Sequence, residues 1–217
     1  KRQVDGEDAR DFDDAIWAEE DTTPHNSNGW RMIVAIADVA HYVSNGDPLD
    51  IDARKRGNSV YFADRVVPML PENLSNGLCS LKPNEDRGCL AVEITIDKFG
   101  HKKSHRFIRG VMRSKARLTY EQLEETFNGN KNACSPEIMK LAKSLRGAYN
   151  ALSDAREKRG ALNIETTEKV IKISDDGKID SILPRERLES HKVIEEFMVT
   201  ANVCAAETLE EKTHTCV

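Results

Sequence analysis

FDDAIWAEEDTTPHNSNGWRMIVAIADVAHYV, residues 12–43, holds two short apolar stretches, the second rich in Val and Ile, on either side of the turn-rich DTTPHNSNG. Both stretches are of strand length, and the polar, Pro- and Gly-containing loop between them rules out one continuous element. Working outward, GCLAVEITID (88–97) alternates well enough for a strand, KFGHK turns, and HRFIRGVMRSKARL (105–118) returns as its hairpin partner. DPLDIDARKRGN has helical spacing at Leu49 and Ala53 and a stop at Gly57, and SVYF is a further short strand. The prolines and Asn-Gly of VVPMLPENLSNGLCSL break any long element there.

After residue 118 the pattern changes to helical. TYEQLEETFNG carries a capping box, Thr119 with Gln122, and Gly129 lies past its end. In SPEIMKLAKSLRGAYNALSDAREKRG, Ser135 is the N-cap, Pro136 the first helical position and Gly160 the stop. Its apolar residues Ile138, Leu141, Leu145, Ala148, Leu152 and Ala155 recur at helical spacing. EKVIKISDDGKIDSIL reads as a hairpin, and RERLESHKVIEEFMVTANVCAAETLEEK as a long helix with Ile194, Met198, Ala201 and Ala205 on one stripe. The predicted class is α+β, a largely antiparallel sheet packed against long helices, with 1–118 mainly strands and 119–217 mainly helices plus a hairpin.

The 217 residues suffice for one large domain or two small ones. A net charge of −5 gives no global attraction to a polyanion, which would have to meet local basic patches or bound cations. The five cysteines are widely spaced with no C-x-x-C pair, pointing to reduced thiols in a cytoplasmic protein and to neither a zinc site nor a disulfide framework. No apolar run approaches the ~20 residues that cross a bilayer, and no signal peptide opens the chain. The chain opens on KRQVDG without a methionine and closes as a fresh apolar segment begins, so a piece of something longer is expected.

DGEDARDFDDA (5–15) crowds acidic residues ahead of the first apolar stretch. Like charges raise one another's pKa unless a cation sits among them. In an extended segment Asp11 and Asp13 share a face with Asp14 opposite or on a bend, and Asp5 can return to them across a turn at Gly6. Converging carboxylates suit Mg²⁺ or Mn²⁺, and two such ions can clamp the attacking and leaving oxygens of a phosphodiester. A solvated acidic turn, or an Asp-rich N-cap, fits the bare spacing as well. An EF-hand loop does not, because its glycine and closing glutamate are not in place.

Six blocks in order then carry a resemblance: DGEDARDFDDA, VAIADVAHYV, RGNSVYF, VVPMLPENLSNGLCSLKPNEDR, ARLTYEQL and IEEFMVTANVCAA. Together they resemble the catalytic domain of the ribonuclease II/ribonuclease R exoribonucleases, in wording closest to the bacterial ribonuclease R branch. The resemblance implies processive 3′-to-5′ hydrolysis of single-stranded RNA to nucleoside 5′-monophosphates, with Mg²⁺ as cofactor and DNA excluded as substrate. It makes Asp5, Asp11, Asp13 and Asp14 the metal-site aspartates, Asp13 the least replaceable of them, Tyr61 a platform for stacked bases, and Tyr120 and Glu195 the residues that recognise ribose. Where the family can place a second stacking aromatic, this chain has Ile164. The family's later block, with an arginine on the scissile phosphate, and its flanking RNA-binding domains are absent from this sequence. A catalytically silent RNA-binding or metal-binding module is the alternative.

Between Lys98 and Leu118 stand eight Lys/Arg residues and no acid. On one extended strand Arg109, Arg113, Lys115 and Arg117 would share a face and form a phosphate-tracking stripe; a solvated strand guarding a sheet edge gives the same pattern. His41, His101, His105 and His191 lack ligand spacing and read as structural.

Overall fold

A computed structural model of the chain describes residues 2–5, 11–62, 65–162, 169–174, 178–184 and 186–212. In chain order come β1 (Arg2–Asp5), β2 (Asp14–Asp21), β3 (Gly29–Ala37), α1 (Pro48–Arg56), β4 (Val60–Tyr61) and β5 (Val66–Val67). They are followed by β6 (Asp86–Ile96), β7 (Lys102–Arg113), β8 (Ala116–Thr119), α2 (Tyr120–Phe127), α3 (Pro136–Lys158), β9 (Lys169–Ile173), β10 (Ile179–Pro184) and α4 (Glu189–Glu211). The class is the expected α+β. The turn glycine of the β9–β10 hairpin and Ile164 lie outside the described residues.

Six strands form the main sheet in the order β7-β6-β3-β2-β1-β8. Its described pairings are antiparallel except β1 with β8, where Asp5 stands level with Thr119. The two edge strands are consecutive in the chain, with only Ser114 and Lys115 between them. Two residues span less than about 11 Å, so the sheet curls until its edges meet at that end. Here the sequence reading needs correction: SKARL does not continue the β6 hairpin partner but begins a strand on the opposite edge.

The central strands are buried on both faces, which explains their nearly unbroken apolar runs. Ile16, Met32, Val34, Ile94 and Ile96 meet Leu145, Val193 and Phe197 of the helical layer. The other face carries smaller side chains, Ala15, Ala35, Ala37 and Ala91, which let Cys79 and Leu81 close over it. On α4 the fully buried line runs through Val193, Phe197 and Cys204, so the expected stripe is displaced toward solvent at Met198 and Ala205, both half-buried. No helix among the described residues is long and apolar enough to cross a membrane.

Caps form as the sequence predicts. Thr119 and Gln122 close the α2 capping box, and the Ser135 hydroxyl accepts from the Ile138 amide at 3.4 Å. For α4 the capping is shared between its own first turn, where His191 Nδ1 accepts the Leu188 amide at 3.2 Å, and a neighbouring helix. Its N-cap, Leu188, has no side-chain acceptor, and Glu124 of α2 accepts the Ser190 amide at 2.9 Å.

Candidate active site

The acidic segment is pinned by its one apolar residue. Phe12 is buried, its amide donates to Ser80 Oγ at 3.1 Å, and its carbonyl accepts from the Leu81 amide at 2.8 Å. The Asp13 carbonyl accepts from the Ala37 amide at 2.8 Å, tying the next residue to the end of β3. With Phe12 turned inward, Asp11 and Asp13 fall on the opposite side together, as alternation predicts. Asp13 keeps an exposed surface in a dense surround of protein; that partial burial, and after it the charge of Asp11, pushes its carboxyl up to about 6. Asp14 opens β2 and is half-buried. Asp5 closes β1, and extending the Arg2–Ile16 register brings its backbone level with Asp13. The Asp5 side chain lies outside the described residues.

Tyr61 stands beside this pair. Its ring is 67% exposed on the small β4–β5 hairpin. Its hydroxyl bonds to Asp11 and Ser59, and burial of that hydroxyl followed by the charges of Asp11 and Asp13 raises its pKa. One end is thus fixed at the carboxylates while the ring remains open to a ligand. Behind the site, burial and then the charges of Asp13 and Asp38 raise the pKa of the Cys79 thiol.

Asp38, at the end of β3, is clamped by Arg109 through two bonds of 2.5 and 3.1 Å. Hydrogen bonding by that guanidinium holds the Asp38 carboxyl below its usual range. A depressed carboxyl pKa contributes stability above the unfolded-state value and loses it as pH falls through the folded value. Arg109→Ala is therefore expected to move acid unfolding, followed by circular dichroism, to higher pH than in the parent protein.

The basic stripe does not form as expected. β7 ends at Arg113 and β8 begins at Ala116, so Arg109 and Arg113 lie on one sheet edge and Arg117 on the other. Arg113 sits directly across from Asp86 in the strand register and binds it with both nitrogens, at 2.7 and 2.8 Å. Both partners are more than half exposed, so the pair is weak and open to exchange.

A second cluster forms where α2 and α4 begin. Tyr120 stacks on His191 with centroids 4.0 Å apart and planes at 13°. Glu195, one turn further along α4, pairs with Arg187. This cluster connects to the acidic segment through the β1–β8 ladder, which sets Thr119, the residue before Tyr120, level with Asp5. An open cleft of about 800 Å³, lined by Phe12, Asn73, Asn76, Lys82 and Arg87 among others, adjoins the acidic segment. Sequence reading passed over these cleft residues, Asp38 and the His191 stack. Only the first group left a trace, in the polar residues among the breaks of LPENLSNGLCSLKPNEDR.

Among the described residues no three acidic, His or Cys side chains converge as a ready-made metal cage. Mg²⁺ does not require one. It binds through one or two carboxylates and takes its remaining ligands from water and substrate phosphate. Asp11 and Asp13 are hard donors, and burial followed by the Asp11 charge has already raised the Asp13 pKa, so a cation between them fits that role.

Comparison with known proteins places the chain. The family described as RNB domain matches residues 3–217. Ribonuclease R of Vibrio parahaemolyticus is 45% identical over 211 residues, which are 96% of this chain and 25% of that protein. The chain thus spans about a quarter of the length of such relatives. Among solved structures, Mycoplasma genitalium RNase R in complex with ribose methylated single-stranded RNA superposes with a TM-score of 0.91 at 31% identity, covering 98% of this chain and 32% of that one. Yeast Ssd1, a pseudonuclease, shares the fold at a TM-score of 0.73 and 18% identity, covering 97% of this chain and 25% of its own.

Proposed function

The chain belongs to the RNB-domain family, and from that premise we propose that it supplies the acidic portion, toward the N-terminal side of the catalytic domain, of a 3′-to-5′ exoribonuclease. Its substrate is single-stranded RNA, degraded processively to nucleoside 5′-monophosphates in the cytoplasm, and its cofactor is Mg²⁺ or Mn²⁺. The observation that carries the reading is the mutual placement of Asp11, Asp13 and Tyr61: two like charges in a shared surround, and an exposed aromatic fixed to one of them.

Asp11 and Asp13, with Asp5 and Asp14, hold the cation. When bound it lowers the pKa of an attacking water and neutralises charge developing on the phosphate. The Phe12 clamp keeps Asp11 and Asp13 on one side, and the Tyr61 hydroxyl orients Asp11. The Tyr61 ring stacks a base, a contact every base can make, which suits degradation without sequence preference. Tyr120 and Glu195 meet the ribose 2′-hydroxyl, which DNA lacks. Arg113 exchanges Asp86 for a backbone phosphate, and Arg109, held by Asp38, lends positive charge at the flank of the site.

The alternative, a silent RNA-binding module, draws on the Ssd1 fold. Retention of all four aspartates weighs against it. The deciding experiment incubates the protein carrying this chain with 5′-labelled single-stranded RNA, with and without Mg²⁺. A metal-dependent ladder that shortens from the 3′ end is expected; RNA bound but left intact at every metal concentration favours the silent module. In the same assay Tyr61→Ala should weaken RNA affinity about tenfold, the worth of one stacked base, while Tyr61→Phe should keep it.

A further inference from the structure

We propose that His191 is a positioning residue for Tyr120, and through it for the distinction between ribose and deoxyribose; this rests on the ribose role given to Tyr120 above. Tyr120 is the first residue of α2, where a side chain has few neighbours of its own helix to hold it. The backbone beneath it is fixed by the capping box: Thr119 Oγ1 accepts from the Gln122 amide at 3.2 Å, and Gln122 Oε1 from the Thr119 amide at 2.9 Å. The ring itself packs in part against the core and is stacked by His191. At 4.0 Å and 13° the two planes are parallel and in contact, so the phenol cannot change rotamer without leaving the stack. Stacking also covers one face of Tyr120. The rest of the ring packs in part against the core, so the direction of its hydroxyl is set, and a hydroxyl held in one direction is what recognition of a single 2′-OH requires.

The imidazole is in turn held. His191 Nδ1 accepts from the Leu188 amide at 3.2 Å, so the neutral ring carries its proton on Nε2 and its plane is set by the start of α4. That helix start is locked to both neighbouring helices. Glu124 of α2 accepts the Ser190 amide at 2.9 Å, and Arg146 of α3 binds Glu189 at 2.7 and 3.0 Å. Glu195 follows His191 by four residues and lies on the same helix face. Tyr120, His191 and Glu195 therefore form one row on a braced corner, with the acidic segment joined to it through the β1–β8 ladder.

Two substitutions separate stacking from capping. His191→Phe keeps a ring on Tyr120 and loses the Nδ1 acceptor. His191→Gln keeps an acceptor at the third helical position, as in a capping box, and loses the ring. In the protein carrying this chain, the measured quantity is the ratio of kcat/KM for an all-ribose oligonucleotide to that for the same oligonucleotide with single 2′-deoxy substitutions near its 3′ end. Thermal unfolding of each variant is followed alongside. His191→Gln is expected to lower the ratio about tenfold, the worth of one hydrogen bond lost from good geometry, and His191→Phe to preserve it. Added to Tyr120→Phe, His191→Gln should change the ratio no further.

A purely structural histidine would slow both substrates alike and leave the ratio intact. An unchanged ratio in His191→Gln beside a discriminating parent protein overturns the inference and leaves the proposed function standing. A reduced ratio in His191→Phe overturns it too, by assigning the effect to the cap. A parent protein that cleaves RNA without discriminating the deoxy substrates removes the ribose role of Tyr120 and this inference with it.

Discussion

Asp13→Asn is expected to lower RNA hydrolysis by the protein carrying this chain on the order of a thousandfold or more in kcat, while affinity for single-stranded RNA stays nearly unchanged. Removing one preorganised donor of transition-state stabilisation costs about two to three orders of magnitude, and loosening a cation that acts on both the nucleophile and the phosphate costs at least that. On the proposed reading RNA affinity resides elsewhere, in the exposed ring of Tyr61 and in the basic residues. The same substitution should act on stability in the opposite direction. The Asp13 carboxyl titrates at about 6 in the folded, metal-free protein, above its ordinary value of about 3.9. The folded state therefore binds that proton more tightly than the unfolded chain, and stability falls as pH rises from about 4 to about 6. Above that window the ionised carboxylate is a burden that asparagine does not carry. Discounted for the exposure of the side chain, the burden is about 1 kcal/mol, or a Tm higher by about 2–4 °C in the variant at neutral pH with chelator. Added Mg²⁺ should raise the Tm of the parent protein more than that of the variant. A variant that loses RNA binding in proportion to cleavage would move Asp13 out of the metal role, and one melting below its parent would contradict the electrostatic reading.

That reversal depends on something a sequence only half discloses. Alternation along an extended chain was enough to set Asp11 and Asp13 on one side, because the period of two needs no tertiary information. It could not say that Phe12 is clamped between Ser80 and Leu81, almost seventy residues away, nor that Asp13 is surrounded by protein. The helices read well for the same reason. Thr119, Gln122, Ser135, Pro136 and Gly160 act within a turn of their own positions, and each does what its local chemistry dictates. Reading failed wherever the partner was remote. Leu188 offers no side-chain acceptor, so the start of α4 relies on His191 Nδ1, which takes the Leu188 amide, and on Glu124 of α2, which no local pattern in RERLESHK announces. His191 read as structural, and its stack and its bond to the Leu188 amide agree with that; the partner that no local pattern could name is Tyr120, on another helix. The basic run from Lys98 to Leu118 looked like one face because nothing local marks the break at Ser114 and Lys115, where the chain passes between the two edges of a curled sheet. Two of its arginines are each held by an aspartate that only the fold brings near, Asp38 from the end of β3 and Asp86 from the paired strand.

Gly100→Ala should be among the most destabilising changes that add a single methyl group. Gly100 turns the chain from β6 into β7, inside a loop tied by the Asp97 carboxylate to the amides of Phe99 and His101 at 2.8 and 2.9 Å. Its φ of +81° lies in the left-handed region, which costs an L-residue about 1–2 kcal/mol. A Cβ there would also stand 2.1 Å from the Ala151 carbonyl oxygen and 2.6 Å from its carbon. Those atoms belong to the backbone of α3 and cannot swing aside as a side chain would, so the turn must lift from the helix. Adding the 1–3 kcal/mol typical of overpacking gives a loss of about 3–4 kcal/mol, a Tm lower by about 10 °C. Gly160 supplies the control. Its φ of +69° imposes the same backbone cost, but nothing lies within 4 Å of the Cβ an alanine would add. Urea denaturation of Gly160→Ala should therefore show only the conformational part, about 1–2 kcal/mol, and the difference between the two variants measures how closely the β6–β7 turn is seated on α3. Equal losses would mean that the turn yields freely. In that case α3 would be held against the sheet by its other contacts, chief among them Trp30, whose indole occupies the space over Gly147 at 2.3 Å from where a Cβ would stand.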